Sequence, residues 1–136
     1  MSLKYILDTN ICIYISKEKP IEVLQKFEQL EVGDVGMSMI TYAELLYGAK
    51  RSQQSKKSLK DLEQLISLIP VLPFQNNVAE HYADIRSDLS NKDTIIGNND
   101  LWIAAHVRAM DKILVSNNLK EFQRVQKLKL ENWIHE

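Results

Sequence analysis

Apolar residues fall in short blocks along the chain, and the period of the blocks keeps changing. Residues 4–7, 35–38, 69–72, 112–116 and 127–131 are brief runs of strand-forming character. Between them the apolar positions recur at helical spacing. Leu59, Leu62, Leu65, Ile66 and Ile69 are the clearest case, and they predict a helix over 55–67. Further helices are predicted over 11–16, 20–30, 40–51, 75–90, 99–110 and 119–125. Pro20 suits the first turn of the helix over 20–30, and Gly33 marks the break after it. Pro70 cannot donate to a sheet ladder, so its strand belongs near an edge. The helix over 99–110 is apolar on more than one side and is expected to be deeply buried. Strands alternating with helices argue for an α/β fold with a parallel sheet covered on both faces.

Composition narrows the class without naming it. A chain of 136 residues can bury one core, and 1–136 reads as one domain with no linker, repeat or low-complexity stretch. Cys12 is the single cysteine, which excludes an internal disulfide and a cysteine-rich zinc site. It reads as a buried small hydrophobe. No signal peptide is visible, and no apolar run approaches the ~20 residues of a membrane span. The expectation is a cytoplasmic protein with no membrane partner. Net charge is −1, so the chain does not grip nucleic acid indiscriminately. Two basic patches, Lys50, Arg51, Lys56, Lys57, Lys60 and Lys120, Arg124, Lys127, Lys129, read first as solvated helix faces.

Four acidic or amide residues sit where packing does not explain them. Asp8 ends the run Lys4-Tyr5-Ile6-Leu7, and Asn118 follows Ile113-Leu114-Val115-Ser116-Asn117. Glu44 opens the apolar segment Ile40-Thr41-Tyr42-Ala43-Glu44-Leu45-Leu46, and Asp100 follows Gly97-Asn98-Asn99. Each has a plainer reading. Asp8 could cap the next helix, although Thr9 or Asn10 could cap instead and leave Asp8 free. Thr41-Tyr42-Ala43-Glu44 has the form of a capping box. Asn118 could be a turn residue or a cap. Asp100 is harder to explain this way, because Asn98 or Asn99 can cap its helix and a carboxylate beside a buried run needs partners. His81, His106 and His135 are scattered and read as structural or surface residues. Trp102, Trp133 and Tyr42 read as core or interface aromatics. In an open α/β sheet, ligands gather outside the carboxyl ends of the strands. Three carboxylates and an amide converging there would repel one another and invite a hard divalent cation. That combination points to metal-assisted phosphoryl chemistry.

Taken in order, Leu7-Asp8-Thr9-Asn10, the segment 38–48 around Glu44, the segment 96–105 around Asp100, Val115-Ser116-Asn117-Asn118 with Glu121-Phe122, and the closing segment Leu130 to Trp133 resemble the PIN-domain toxins of the VapC type. The resemblance spans essentially the whole chain. It implies a three-layer α/β/α fold with a central parallel sheet. It implies a Mg²⁺- or Mn²⁺-dependent endoribonuclease that inhibits translation by cutting tRNA or ribosomal RNA, leaving a 5′-phosphate and a 3′-hydroxyl. It implies a cognate VapB-like antitoxin that blocks the site and carries the pair to operator DNA, and the toxin itself is expected to be a homodimer. Asp8, Glu44 and Asp100 stand at the family's first three catalytic and metal-binding acids. Asn118 stands in the family's Thr-x-Asp pattern, here Ser116-Asn117-Asn118, so an amide replaces a carboxylate and is expected to be the weaker metal ligand.

Two other classes compete. A haloacid-dehalogenase-like phosphatase also places an aspartate after its first strand, but its second residue onward is normally another aspartate, and here it is Asn10. A catalytically inert PIN-like partner acting as an operon co-repressor would be consistent with the Asn118 departure.

Overall fold

A computed structural model describes residues 2–134. His135, grouped with the other histidines in sequence, lies outside the described residues. The elements run β1 (Tyr5–Leu7), α1 (Thr9–Lys17), α2 (Ile21–Glu28), β2 (Val35–Ser38), α3 (Met39–Arg51), α4 (Ser55–Leu68), β3 (Val71–Leu72), α5 (Val78–Asn91), α6 (Asn98–Met110), β4 (Ile113–Val115), α7 (Leu119–Phe122) and β5 (Lys129–Glu131). The five strands form one sheet in the order β3-β2-β1-β4-β5, and every pairing is parallel. The α/β expectation holds, with helices on both faces.

β1 is the middle strand, and its alternation divides the interior in two. Ile6 points into a core shared with Ile85, Leu89, Ile103, Leu114 and Phe122. Its neighbour Leu7 points into the opposite core, with Ile11, Met37, Leu62, Leu65 and Val115. Both residues are fully buried. One strand only three residues long therefore belongs to two hydrophobic layers, as period-two geometry requires. Cys12 lies in the second layer, fully buried, its Sγ 3.8 Å from the Leu7 carbonyl oxygen. α6 buries Leu101, Ile103, Ala104, Ala105, His106 and Val107, so its apolar circumference reflects real burial.

β2 spans 35–38 as expected, but the other four strands and several helices are shorter than the apolar runs suggest, for local reasons. Pro70 gives only its carbonyl to the ladder, accepting from Met37 N–H at 2.9 Å, and β3 starts one residue later. β3 can lie this close to β2 because Gly36 has no side chain. A Cβ there would sit 2.8 Å from Leu72 Cδ1 and 3.2 Å from the Pro70 carbonyl oxygen. Lys127 has φ 63°, a left-handed conformation no strand accommodates, and β5 begins at Lys129. The predicted helix start at Gln75 is a turn, with Val78 N–H donating to the Gln75 carbonyl at 3.1 Å, and α5 begins at Val78.

The aromatics pack as structural residues. Trp133 is buried, with its ring centroid 5.6 Å from that of Tyr5, and Tyr42 joins the second core. Trp102 stacks on Tyr82 at 3.8 Å and on Phe74 at 5.5 Å. Among the described residues no helix is long and apolar enough to cross a membrane.

The strand order creates a switch point. β1 connects through α1 and α2 to β2 on one side, and its other neighbour, β4, arrives much later in the chain. The crevice between the carboxyl ends of β1 and β4 is where such sheets bind ligands. Asp8 directly follows β1, and Ser116 directly follows β4.

Candidate active site

Asp8 is seated by backbone geometry. Its N–H donates to the Val115 carbonyl at 3.0 Å, extending the β1–β4 pairing one residue beyond the strands. Its Oδ1 accepts from Ile11 N–H at 3.0 Å, so Asp8 itself caps α1. The expectation that Thr9 or Asn10 would cap and leave Asp8 free is corrected here: both lie inside the helix. Capping and lining the cleft are compatible, because one carboxylate has two oxygens. Asp8 is 6% exposed, and burial raises its pKa above the ordinary 3.8, against hydrogen bonds from Ser116 and the Ile11 backbone that pull it down.

Glu44 does not close a capping box. α3 is capped by Ser38, whose Oγ accepts from Ile40 N–H at 3.2 Å, and Thr41 is buried inside the first turn. The helix therefore starts earlier than the box pattern in the sequence implies. The Glu44 carboxylate is held across the cleft instead. Thr9 Oγ1 donates to Oε1 at 2.6 Å, and Asn99 Nδ2 donates to Oε2 at 3.4 Å.

Asp100 lies in the first turn of α6, whose N-cap is Gly97 with no side-chain cap. Asn98 and Asn99, expected to offer the cap, are helical and point elsewhere. Asn98 Oδ1 accepts from the Tyr82 hydroxyl at 2.6 Å, and Asn99 reaches Glu44. Asp100 is half-buried and has a partner that sequence reasoning passes over. Its carboxyl shares a hydrogen bond with Glu121 on α7. Burial first, then that proton-sharing contact and the charges of Glu121, Glu44 and Asp8, push its pKa up to about 7. Asn118 occupies the N-cap position of α7 without a side-chain capping bond, while its N–H donates to Ser116 Oγ at 2.9 Å.

Asp8, Thr9, Asn10, Glu44, Asp100, Ile103 and Asn118 line one cleft of about 160 Å³. No basic side chain is among them. Thr9 and Glu44 also border a larger groove of about 800 Å³ between α1, α3 and α4, rimmed by Lys17, Lys19 and Lys57. All four residues singled out in the sequence thus meet in one place.

The PIN-domain family profile matches residues 5–128. Over 97% of this chain and 99% of the relative, the sequence is 46% identical to Ribonuclease VapC2 of Haemophilus influenzae. It is 40% identical to the tRNA(fMet)-specific endonuclease VapC of Shigella flexneri, over 96% of this chain and 98% of that one. This chain belongs to the PIN-domain VapC ribonuclease toxins. The fold of this VapC ribonuclease also superposes on crystal structures of VapBC complexes. VapBC2 of Rickettsia felis, bound to a DNA fragment from its promoter, gives a TM-score of 0.90 at 37% identity, covering 97% of this chain and 100% of that one. DNA-bound VapBC of Salmonella typhimurium gives 0.91 at 36% identity, covering 97% and 99%.

Oxygen donors with no competing cation are the chemistry a hard divalent ion requires. Repulsion among the carboxylates, which adds to burial and the Glu121 hydrogen bond in raising the pKa of Asp100, is what such an ion relieves. Among the described residues no three His, Cys, Asp or Glu side chains already form a chelating set. Magnesium does not demand one, since it keeps several waters and takes one or two carboxylates directly. The residue set of this VapC ribonuclease therefore fits the ion.

Two contributors, Glu121 and Ser116, have sequence signals. Glu121 stands in the first turn of the helix after Asn118, where an acid faces the same strand end. Ser116, fully buried, directly follows β4 opposite Asp8, and a buried hydroxyl there needs partners.

The shift at Asp100 has a sign that can be tested. A carboxyl whose folded pKa is about 7 rather than 3.8 holds more protons folded than unfolded. Its contribution to stability is full below the unfolded pKa and is lost as pH rises through 7. In chelator, Asp100→Asn should melt increasingly above wild type as pH is raised from 5 to 8. A difference in melting temperature that stays flat over that range would refute the shift.

Proposed function

We propose that this chain is the toxin of a type II toxin–antitoxin pair, a Mg²⁺- or Mn²⁺-dependent endoribonuclease that cuts tRNA or another translation RNA. The observation that carries this reading is the convergence of Asp8, Glu44, Asp100 and Asn118 on one cleft at the β1–β4 switch point. A bound divalent ion would be held by Asp8 and Asp100, Glu44 would ligate it or orient water beside it, and Asn118 would be the weaker ligand. When bound, the ion supplies Lewis acidity, lowering the pKa of water and offsetting charge on the phosphate oxygens. Thr9 and Asn99 fix the Glu44 carboxylate, and Ser116 fixes Asp8. Glu121 holds the Asp100 carboxyl through the hydrogen bond the two share. The products are a 5′-phosphate and a 3′-hydroxyl. A net charge of −1 suits an enzyme that reads one structured RNA by shape and loops. The Shigella relative's tRNA(fMet) specificity supports a tRNA substrate.

The acids give the direct test. Asn caps a helix as well as Asp does, so Asp8→Asn should remain folded. Asp100→Asn removes repulsion and should also remain folded. Each should lose cleavage by on the order of 10²–10³-fold or more. Glu44→Gln should keep or raise the metal-free melting temperature and lose most activity. RNA cleavage assays beside thermal melts decide, and full activity in a folded Asp8→Asn or Asp100→Asn variant sinks the assignment.

Asn118 offers a neutral carbonyl where a carboxylate would add charge. Asn118→Asp should tighten Mn²⁺ binding in the absence of RNA and lower the metal concentration for half-maximal cleavage. It should also melt lower in chelator. Identical titration isotherms and melts would place Asn118 outside the metal site.

The VapBC complexes among the relatives support an antitoxin as partner. We infer a homodimer that binds a small VapB-like antitoxin, a segment of which covers the acidic cleft and sets a basic side chain among the carboxylates. Such a charge competes with the metal. Operator DNA is reached through the antitoxin, as the DNA-bound complexes of the Rickettsia and Salmonella proteins suggest. Co-expression with the antitoxin encoded beside the toxin should restore growth and yield a stable complex on size exclusion. Undiminished toxicity would count against that partnership.

A further inference from the structure

One buried polar group has no part in the metal chemistry. His106, on α6, is fully buried, and its Nδ1 lies 2.8 Å from Ser38 Oγ. Ser38 is also fully buried, and the same hydroxyl oxygen accepts from Ile40 N–H to cap α3. A serine hydroxyl has one proton to give. With its oxygen accepting from Ile40, the economical arrangement sends that proton to Nδ1 and leaves the ring's own proton on Nε2. The Phe74 ring meets the imidazole edge-on at 4.8 Å, and the Pro73 carbonyl is near enough to interact with it. Nε2 nonetheless has no well-formed hydrogen bond, so the Pro73 contact is weak. Burial lowers the pKa of His106, keeping the ring neutral and Nδ1 available as an acceptor.

Packing alone would favour an apolar ring at this position, because a buried nitrogen without a partner is costly. What the histidine adds is a cross-link. α6 carries Asp100, and the Ser38 cap begins α3, which carries Glu44. The other polar tie between these helices, Asn99 to Glu44, is long at 3.4 Å and exposed.

We propose that His106 is a positioning residue that sets Glu44 relative to Asp100 by holding the Ser38 cap of α3 against α6. This rests on the reading of those acids as the metal-holding, RNA-cleaving site. Misplacement by about 1 Å can cost on the order of 10²-fold in rate, so a bond remote from the reacting atoms is felt in kcat.

The test compares His106→Phe, Ser38→Ala, the double variant and His106→Asn, whose amide can stand near the Nδ1 position. Two quantities are read: Mn²⁺ affinity of the RNA-free protein by calorimetry, and kcat and KM for RNA. His106→Phe fills the ring volume and should lower kcat about tenfold to a hundredfold. It should weaken Mn²⁺ binding several-fold with KM for RNA unchanged. His106→Asn should recover most of both losses. Ser38→Ala removes the same bond and the Ile40 cap as well, so it should lose at least as much as His106→Phe, and the double variant should be no worse than Ser38→Ala alone. Wild-type kcat and Mn²⁺ affinity in His106→Phe overturn the proposal, as do additive losses in the double variant. Should His106→Phe not fold, Ser38→Ala decides by the same Mn²⁺ titration, and unchanged affinity overturns the proposal. A wild-type protein that binds Mn²⁺ but cuts no RNA would defeat the ribonuclease reading, while the affinities still judge the role of His106.

Discussion

The backbone bond from Asp8 N–H to the Val115 carbonyl is the joint on which the site depends. It carries the β1–β4 pairing past the last strand residues and fixes where the chain leaves the sheet. From that point α1 must start, with Asp8 as its cap, and Thr9 must face Glu44. On the other strand, Ser116 is set opposite Asp8 and Asn118 comes two residues later. Were the rung lost, the cap, the Thr9–Glu44 bond and the Ser116 contact would all lose their common reference.

Around that joint the protein balances repulsion against neutral support. Asp8 and Glu44 are steadied by donors that carry no charge: backbone N–H groups, hydroxyls and an amide. Asp100 is treated differently, hydrogen-bonded to Glu121 and with its own pKa raised to about 7, first of all by burial. Removing a buried counter-ion is costly, and here none has to be removed before a cation or a phosphate enters. Neutral donors hold the acids without setting a counter-charge among them.

Much of this is legible in the chain because the governing signals are local. The short apolar runs at 4–7 and 112–116 announce buried parallel strands, and the apolar circumference of 99–110 announces a buried helix. Asp8, Glu44, Asp100 and Asn118 can be gathered because strand ends and helix starts converge in a doubly wound sheet. The misreadings depend on atoms distant in sequence or on exact helix starts. The cap of α3 is Ser38 rather than Thr41, because β2 runs directly into the helix with no intervening turn. The acid on α7 cannot be matched to Asp100 from spacing, since a contact over that separation has no periodic signature. His106 reads only as a structural or surface residue in sequence, because its link to Ser38 spans 68 residues.

The placement of Cys12 has a consequence for how this enzyme meets its surroundings. The thiol is buried against the Leu7 carbonyl, one helical turn beyond Asp8, and burial together with the Asp8 charge drives its pKa far above the ordinary value. Oxidants and electrophiles attack the thiolate, and here almost none exists. Because the chain has no second cysteine, there is no internal disulfide to form and no resolving thiol. The one thiol of the chain is thus withheld from oxidants and electrophiles although it sits a single helical turn from a site residue.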